Sequence, residues 1–200
     1  MSEGETPAGS NGHAQAGNLA TVAIRVGQHQ DVSDQHSEPL VLTASYTFDD
    51  AEDAAEKFAE RRVGNVYIRY HNPTVAAFEE RLAAMEGAEA ALATGSGMAT
   101  YLAVAMALLK AGDHVVLAGG MFGATSYMFE KYFQPFGVSM TLADVRDMDA
   151  WRRSIRPNTK LFIVETPTNP TLYVADLRQL ADLAHEHGCM LVVDNTLCTP

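Results

Sequence analysis

The stretch LFIVETPTNPTLYVADLRQLADLAHEHGCMLVVDNT, residues 161–196, changes its hydrophobic period twice. Residues 161–164 and 190–193 are short, continuous apolar runs, the pattern of strands buried on both faces. Between them Leu177, Leu180, Leu183 and Ala184 recur at helical spacing, with Asp176 ahead of them and Gly188 behind as a stop. Parallel strands need a long crossover, which a helix supplies. Strand, helix, strand with apolar strands is therefore the repeating unit of a parallel sheet with covered faces.

The same alternation extends towards the N-terminus. Strands are expected at 114–118 and 138–142, and helices at 125–133 and 149–155. Asn72 and Pro73 form a cap followed by proline at the first helical position, opening a helix that runs to Gly87. Residues 90–93 are expected to be a short strand that Gly95-Ser96-Gly97 turns into a helix reaching Lys110. Residues 50–60 carry Ala54, Ala55, Phe58 and Ala59 at the spacing of a short amphipathic helix. The fold class is thus α/β, a mostly parallel sheet sandwiched by helices. Residues 1–18 lack the basic start and apolar centre of a signal peptide and read as a disordered leader. Residues 19–60 read as an arm, and 61–200 as the α/β domain proper.

Composition narrows the function. Apolar residues make up 47% of the 200 and charged residues 20%, a mix that buries a core. The net charge of −11 argues against a nucleic-acid partner, which needs a basic face. Two cysteines, Cys189 and Cys198, exclude a disulfide-stapled secreted scaffold. No apolar run approaches the roughly 18 residues of a membrane span. A cytoplasmic protein with neither membrane nor nucleic-acid partner is expected.

In parallel α/β sheets ligands gather at the carboxyl ends of the strands. At Gly95-Ser96-Gly97-Met98, glycines and a helix N-terminus could receive a phosphate, or the segment could be a plain turn. A dinucleotide fingerprint is the weaker reading, because Thr100 occupies the third glycine position and no acidic residue ends the next strand. Asp194, following 190–193, places a carboxylate at the mouth of a buried strand, where it needs a cation unless it merely caps a turn. Tyr67 and Arg69, two apart in the extended stretch 66–70, would point to one side and could converge on an anion, although an exposed strand often shows such spacing. His185, His187, Cys189 and Cys198 match no metal-ligand spacing, so no metal site is expected; the histidines suit a helix C-terminus.

The order of these pieces resembles the Cys/Met-metabolism family of pyridoxal-phosphate enzymes. The resemblance rests on Asn65-Val66-Tyr67-Ile68-Arg69-Tyr70-His71-Asn72-Pro73-Thr74, Glu86-Gly87-Ala88, Ser96-Gly97-Met98, Glu165-Thr166-Pro167-Thr168-Asn169-Pro170 and Val193-Asp194-Asn195-Thr196-x-Cys198-Thr199-Pro200. Within the family, Met121-Phe122-Gly123-Ala124-Thr125 and residues 130–136 look most like the O-succinylhomoserine sulfhydrylases.

The resemblance implies the large domain of fold type I, the aspartate aminotransferase-like fold, here incomplete. It implies pyridoxal 5'-phosphate as cofactor, with Gly97 and Met98 amides on its phosphate and Tyr67 and Arg69 reaching that phosphate from a neighbouring subunit. Asp194 would pair with the pyridine nitrogen, Asn169 would contact the ring's 3' oxygen, and Thr196 would lie beside the ring. Phe122 stands where most relatives stack a tyrosine, so stacking remains and the hydroxyl is gone. The family's Schiff-base lysine is expected beyond Pro200, in a Ser-x-Thr-Lys segment. Lys57, Lys110, Lys131 and Lys160 read as surface residues, which leaves no catalytic lysine within the chain.

The implied activity is γ-replacement, turning O-succinylhomoserine or O-acetylhomoserine plus sulfide into homocysteine for methionine biosynthesis. A homo-oligomer, commonly a dimer of dimers with shared sites, is implied with it. One rival is a γ-lyase or a cystathionine synthase or lyase on the same scaffold. A rival of another class is a phosphate- or nucleotide-binding module with no covalent cofactor. A third is a catalytically dead interaction partner.

Overall fold

The computed structural model describes residues 18–28 and 36–199. The leader expected at 1–18 lies outside the described residues except for Asn18, whose side chain accepts from the Thr21 N–H at 3.0 Å and caps the first helix. The described residues fall into two compact units, one ending at Ala93 and one beginning at Thr94.

The first unit holds α1 (Leu19–Arg25), α2 (Ala51–Phe58) and α3 (Pro73–Glu86). The caps expected from sequence are present: Asp50 accepts from the Asp53 N–H at 2.8 Å, and Asn72 accepts from Thr74 and Val75 N–H at 2.9 and 3.2 Å. Gly87 ends α3 in the left-handed region, as a C-terminal glycine does. The Asn72 amide also donates to the Val41 carbonyl at 2.9 Å, while the Thr74 hydroxyl accepts from Val41 N–H and donates to the Pro39 carbonyl. Residues 39–41 are thereby tied to the start of α3 through polar groups, and Leu40 and Leu42 stay exposed. Gly27 combines a φ of +78° with an ideal Cβ position 2.3 Å from the Ala77 carbonyl oxygen, so no side chain fits there.

Three expectations in this unit are corrected. Residues 66–70 are not a strand: Tyr67 makes one antiparallel bridge to Ser45, and Tyr70 and His71 N–H both donate to the Tyr67 carbonyl, closing a turn. The period-two argument for Tyr67 and Arg69 therefore lapses. Residues 90–93 form no strand; Ala93 N–H donates to the Glu79 carboxylate at 2.6 Å, an acceptor that a sheet ladder would otherwise supply. Lys57 is not a free surface lysine, since its side chain is 19% exposed and its ammonium pairs with buried Asp53 at 2.8 Å. Arg62 pairs with the same carboxylate, and the two donors hold the Asp53 carboxyl down at about 2.

The second unit contains α4 (Gly97–Leu108), β1 (His114–Gly119), α5 (Gly123–Met128), β2 (Ser139–Asp144), α6 (Met148–Ser154), β3 (Thr159–Glu165), α7 (Leu177–Glu186) and β4 (Met190–Asp194). The four strands form one sheet in the order β2-β1-β3-β4, parallel throughout. Alternate residues of β1 and β3 feed two apolar layers. Val116, Phe162 and Val164 pack with Trp151, Leu180, Leu183 and Ala184 under α6 and α7. Val115, Leu117, Leu161 and Ile163 pack with Tyr101, Ala105, Met128 and Phe129 under α4 and α5. Burying one such large apolar side chain is worth about 1.5–3 kcal/mol, and these layers fix which strand ends stand together.

One further expectation changes here. The helix expected at 125–133 leaves α geometry at Phe129, continuing as a π turn over Phe129–Phe133 and a 3-10 turn over Gln134–Phe136. Pro135 supplies no N–H to a continuing helix, and the altered turns bring Phe129 and Phe133 into the core with ring centroids 5.2 Å apart. Among the described residues β4 pairs with β3 alone, and Met190 and Val193 are 48% and 36% exposed.

Candidate functional site

The carboxyl ends of β1, β3 and β4 open on the α4 side of the sheet. Asp194 and Glu165 are paired in register at the ends of β4 and β3, and their side chains share the face that Ile163 and Val192 line below. Asp194 is held from three directions. The Tyr101 hydroxyl donates to Oδ2 at 2.8 Å, and Thr196 donates to Oδ1 through its N–H at 3.0 Å and its hydroxyl at 2.5 Å. Burial pushes the Asp194 carboxyl up, but the donors from Thr196 and Tyr101 outweigh it and hold the group below the usual carboxylate range. The side chain is thus a fixed anion with room for a further donor, since a carboxylate offers about four lone-pair sites.

Glu165 organises the loops around it. Its buried carboxylate accepts a hydrogen bond from the Phe122 N–H, and the Asn169 amide adds a second. Burial, first, and the neighbouring Asp194 charge raise the Glu165 carboxyl, with the Phe122 amide opposing. Phe122 precedes α5 and is 48% exposed, an aromatic residue left open after the end of β1. The Thr166 N–H donates to the Asp194 carbonyl at 3.2 Å, and the Thr166 hydroxyl accepts from Ala175 N–H at 3.0 Å, closing the base of the loop that carries Asn169.

The opposite wall is the start of α4. Ser96 caps it by accepting from the Ala99 N–H at 3.2 Å, and Thr94 braces the turn by donating to the Ser96 carbonyl at 2.9 Å. The first N–H groups of a helix have no acceptor within it, and the dipole adds partial positive charge there. At both Gly95 and Gly97 an ideal Cβ would meet no heavy atom within 4 Å, so an anion has space to approach the backbone.

The structure therefore gathers Phe122, Asn169 and Thr196 around the Glu165–Asp194 pair, with Gly97 and Met98 heading the helix that carries Tyr101. Tyr67 and Arg69 belong to the first unit. Both are exposed, and the Arg69 guanidinium lies 4.5 Å from the Tyr70 ring centroid. Tyr101 is the residue that sequence reasoning missed, and Glu165, quoted there at a strand end, received no role of its own. Each carried a signal: a tyrosine inside an all-apolar helix needs a partner for its hydroxyl, and a glutamate closing a buried strand needs donors. Among the described residues no group of three His, Cys, Asp or Glu side chains is placed to hold a metal. His185 and His187 are exposed at the end of α7, while the buried Cys189 thiol donates to the Thr159 carbonyl.

The residues present fit pyridoxal 5'-phosphate. An uncovered helix N-terminus suits its phosphate, an open aromatic face its ring, and an anchored carboxylate its pyridine nitrogen.

Residues 20–200 match the family described as Cys/Met metabolism PLP-dependent enzyme. The chain is 49% identical to the O-succinylhomoserine sulfhydrylase of Pseudomonas aeruginosa over 180 residues, covering 90% of this chain and 45% of that one. It is 38% identical to the L-methionine gamma-lyase of Porphyromonas gingivalis over 183 residues, 91% of this chain and 46% of that one. Among solved structures, metB from Corynebacterium glutamicum superposes with a TM-score of 0.83 at 32% identity, covering 91% of this chain and 46% of that one. The metY protein of Campylobacter jejuni, which carries a pyridoxyl-lysine monophosphate, also gives a TM-score of 0.83, at 29% identity over 89% of this chain and 44% of that one. The chain spans about half the length of the relatives it matches.

Proposed function

Because this chain belongs to the Cys/Met metabolism PLP-dependent enzymes, we propose that it forms the cofactor-holding part of an enzyme that replaces the γ-substituent of an activated homoserine ester. The substrate would be O-succinylhomoserine or O-acetylhomoserine, with sulfide entering and homocysteine leaving. The observation that carries this reading is the Asp194 carboxylate, held ionised by three donors beside the open start of α4. When bound, the protonated pyridine ring of the cofactor draws electrons from the substrate's α-carbon.

This chain's residues bind and orient. The Gly97 and Met98 amides take the phosphate, helped by Tyr67 and Arg69 of a neighbouring subunit in a homo-oligomer. Asp194 keeps a proton on the ring nitrogen by offering a charge-assisted acceptor. Asn169 meets the 3' oxygen, Thr196 steadies Asp194 beside the ring, and Phe122 stacks on it without a hydroxyl to move protons. Lys110 and Lys160 lie at the other end of the sheet from Asp194, after α4 and at the start of β3, so neither is assigned the covalent hold on the cofactor. In this reading 61–200 is the first part of the cofactor-binding domain, 19–60 is its arm, and the protein works in the cytoplasm. Among the described residues no helix is long and apolar enough to cross a membrane.

The relatedness to L-methionine gamma-lyases favours elimination on the same site as the second reading. Incubation of the full-length protein with O-succinylhomoserine and sulfide separates the two. Replacement gives homocysteine; elimination gives 2-oxobutyrate and ammonia. Either requires a visible absorption band that borohydride bleaches, and a colourless protein after loading with pyridoxal phosphate would refute both.

A further inference from the structure

Tyr101 is a buried phenol that enters the assignments above only as one of the donors to Asp194. It lies on α4 one turn beyond Gly97 and Met98, within the apolar layer formed by Ala105, Leu117 and Ile163. It is 9% exposed, and its hydroxyl donates to Asp194 Oδ2 at 2.8 Å across 93 residues of sequence. We infer that Tyr101 is a positioning residue that couples the helix presenting the phosphate cradle to the carboxylate facing the ring nitrogen. The inference rests on the pyridoxal-phosphate reading of the site.

The geometry gives the phenol a task that Thr196 cannot perform. Thr196 is two residues from Asp194 on the same segment, and its two donors both engage Oδ1, so it moves with the carboxylate and cannot set its distance from α4. Tyr101 grips the other oxygen from a different element. A ligand that binds the start of α4 at one end and Asp194 at the other spans a fixed distance. The Tyr101–Asp194 hydrogen bond sets that distance directly. It also fixes which Asp194 lone pairs remain for the ring, because Oδ2 already accepts one donor and Oδ1 two.

The facing groups suit this role. Glu165, register-paired with Asp194 on β3, presents a second carboxyl to the same face. Without a donor on Oδ2, Asp194 would face that like charge with only the Thr196 side of its carboxylate engaged. Burial and the Asp194 charge both push the Tyr101 phenol up, so it remains a donor throughout the working pH range.

The test is Tyr101→Phe in the full-length protein, which removes one oxygen and keeps the ring in the core. Affinity for pyridoxal phosphate is read by equilibrium dialysis, alongside the circular dichroism induced in the cofactor band and the melting temperature of the apoprotein. A hydrogen bond to a charged group predicts a roughly tenfold or greater loss of cofactor affinity. The induced dichroism should weaken with it, while the apoprotein melts within a few degrees of wild type. The same substitution in an Asp194→Asn background should cost little further affinity, because the coupling runs through the carboxylate. Unchanged affinity and dichroism in Y101F, or an undiminished Y101F loss on top of D194N, overturns the inference. A wild-type protein that binds no pyridoxal phosphate would instead sink the functional reading. Crystal structures of the two apoproteins then decide the positioning role: an Asp194 carboxylate rotated in Y101F supports it, and an unmoved one refutes it.

Discussion

Asp194 takes its importance from what surrounds it: a turn carboxylate that only caps would have one oxygen engaged and the other in water, whereas here donors from two elements engage both oxygens. The sequence placed the residue correctly at the end of a strand and named Thr196 beside it. It left the choice between cap and ligand open, because Tyr101 is remote in sequence. Asp194→Asn retains shape but loses charge, so we expect pyridoxal-phosphate affinity to fall about tenfold to a hundredfold, measured by dialysis of the apoenzyme. Glu165→Gln makes a different prediction. The substitution removes the charge and replaces one of the two acceptor oxygens by an NH2 donor, which weakens the hold on the two backbone N–H groups now served by the carboxylate. Hydrogen exchange should therefore quicken at Phe122 or Asn169, while α7 stays protected; equal protection at both amides would refute the anchoring role.

At the scale of elements, β1, β2, β3 and α7 match their sequence patterns because period and length are backbone properties that neighbours reinforce. The segment 66–70 and the run 90–93 do not, since short apolar pieces take the hydrogen-bond partners that the tertiary fold offers, here a turn at Tyr67 and the Glu79 carboxylate. The start of α4 yields a prediction in which stability and binding separate. Gly97→Ala adds a methyl into empty space and reduces unfolded-chain freedom, so the apoprotein should melt no lower, with a gain of up to about 0.4–1 kcal/mol. The same methyl fills the space proposed for a phosphate, so cofactor affinity should drop; unchanged affinity places the phosphate elsewhere. At the far end of β1, buried His114 lies between the Thr159 and Thr141 hydroxyls at 2.9 Å each, and burial, with a smaller contribution from Arg156, depresses its pKa from 6.5 to about 4. A base depressed in the folded state is protonated more readily when unfolded, so its stability contribution is present above pH 6.5 and lost as pH falls towards 4. Melting temperature followed over that window should decline, and His114→Asn should flatten the decline.

For the whole molecule, the net charge of −11 argued against nucleic acid and said nothing of the small anion the site is proposed to hold, because in that proposal backbone amides and a single arginine, Arg69, do that work locally. The proposal that Tyr67 and Arg69 serve a neighbouring subunit predicts complementation. Mixed oligomers of Arg69→Ala and Asp194→Asn subunits, each impaired alone at limiting cofactor, should regain activity through sites that draw both intact residues from different chains. No recovery on mixing would place Arg69 in its own subunit's site.

By itself the sequence determined the alternation of helices and strands, the caps of α2 and α3, the parallel sheet and the strand ends where ligands gather. Each of these follows from the spacing of apolar residues and from cap chemistry within a few positions of chain. Only the tertiary structure decided that the helix after Gly123 passes into a π turn and then a 3-10 turn, and that Tyr101 and Glu165 hold the Asp194 end of the sheet. Those outcomes depend on which buried polar groups meet across the sheet. A buried hydroxyl or carboxylate must find a partner, but no local pattern says which of the distant residues it will be.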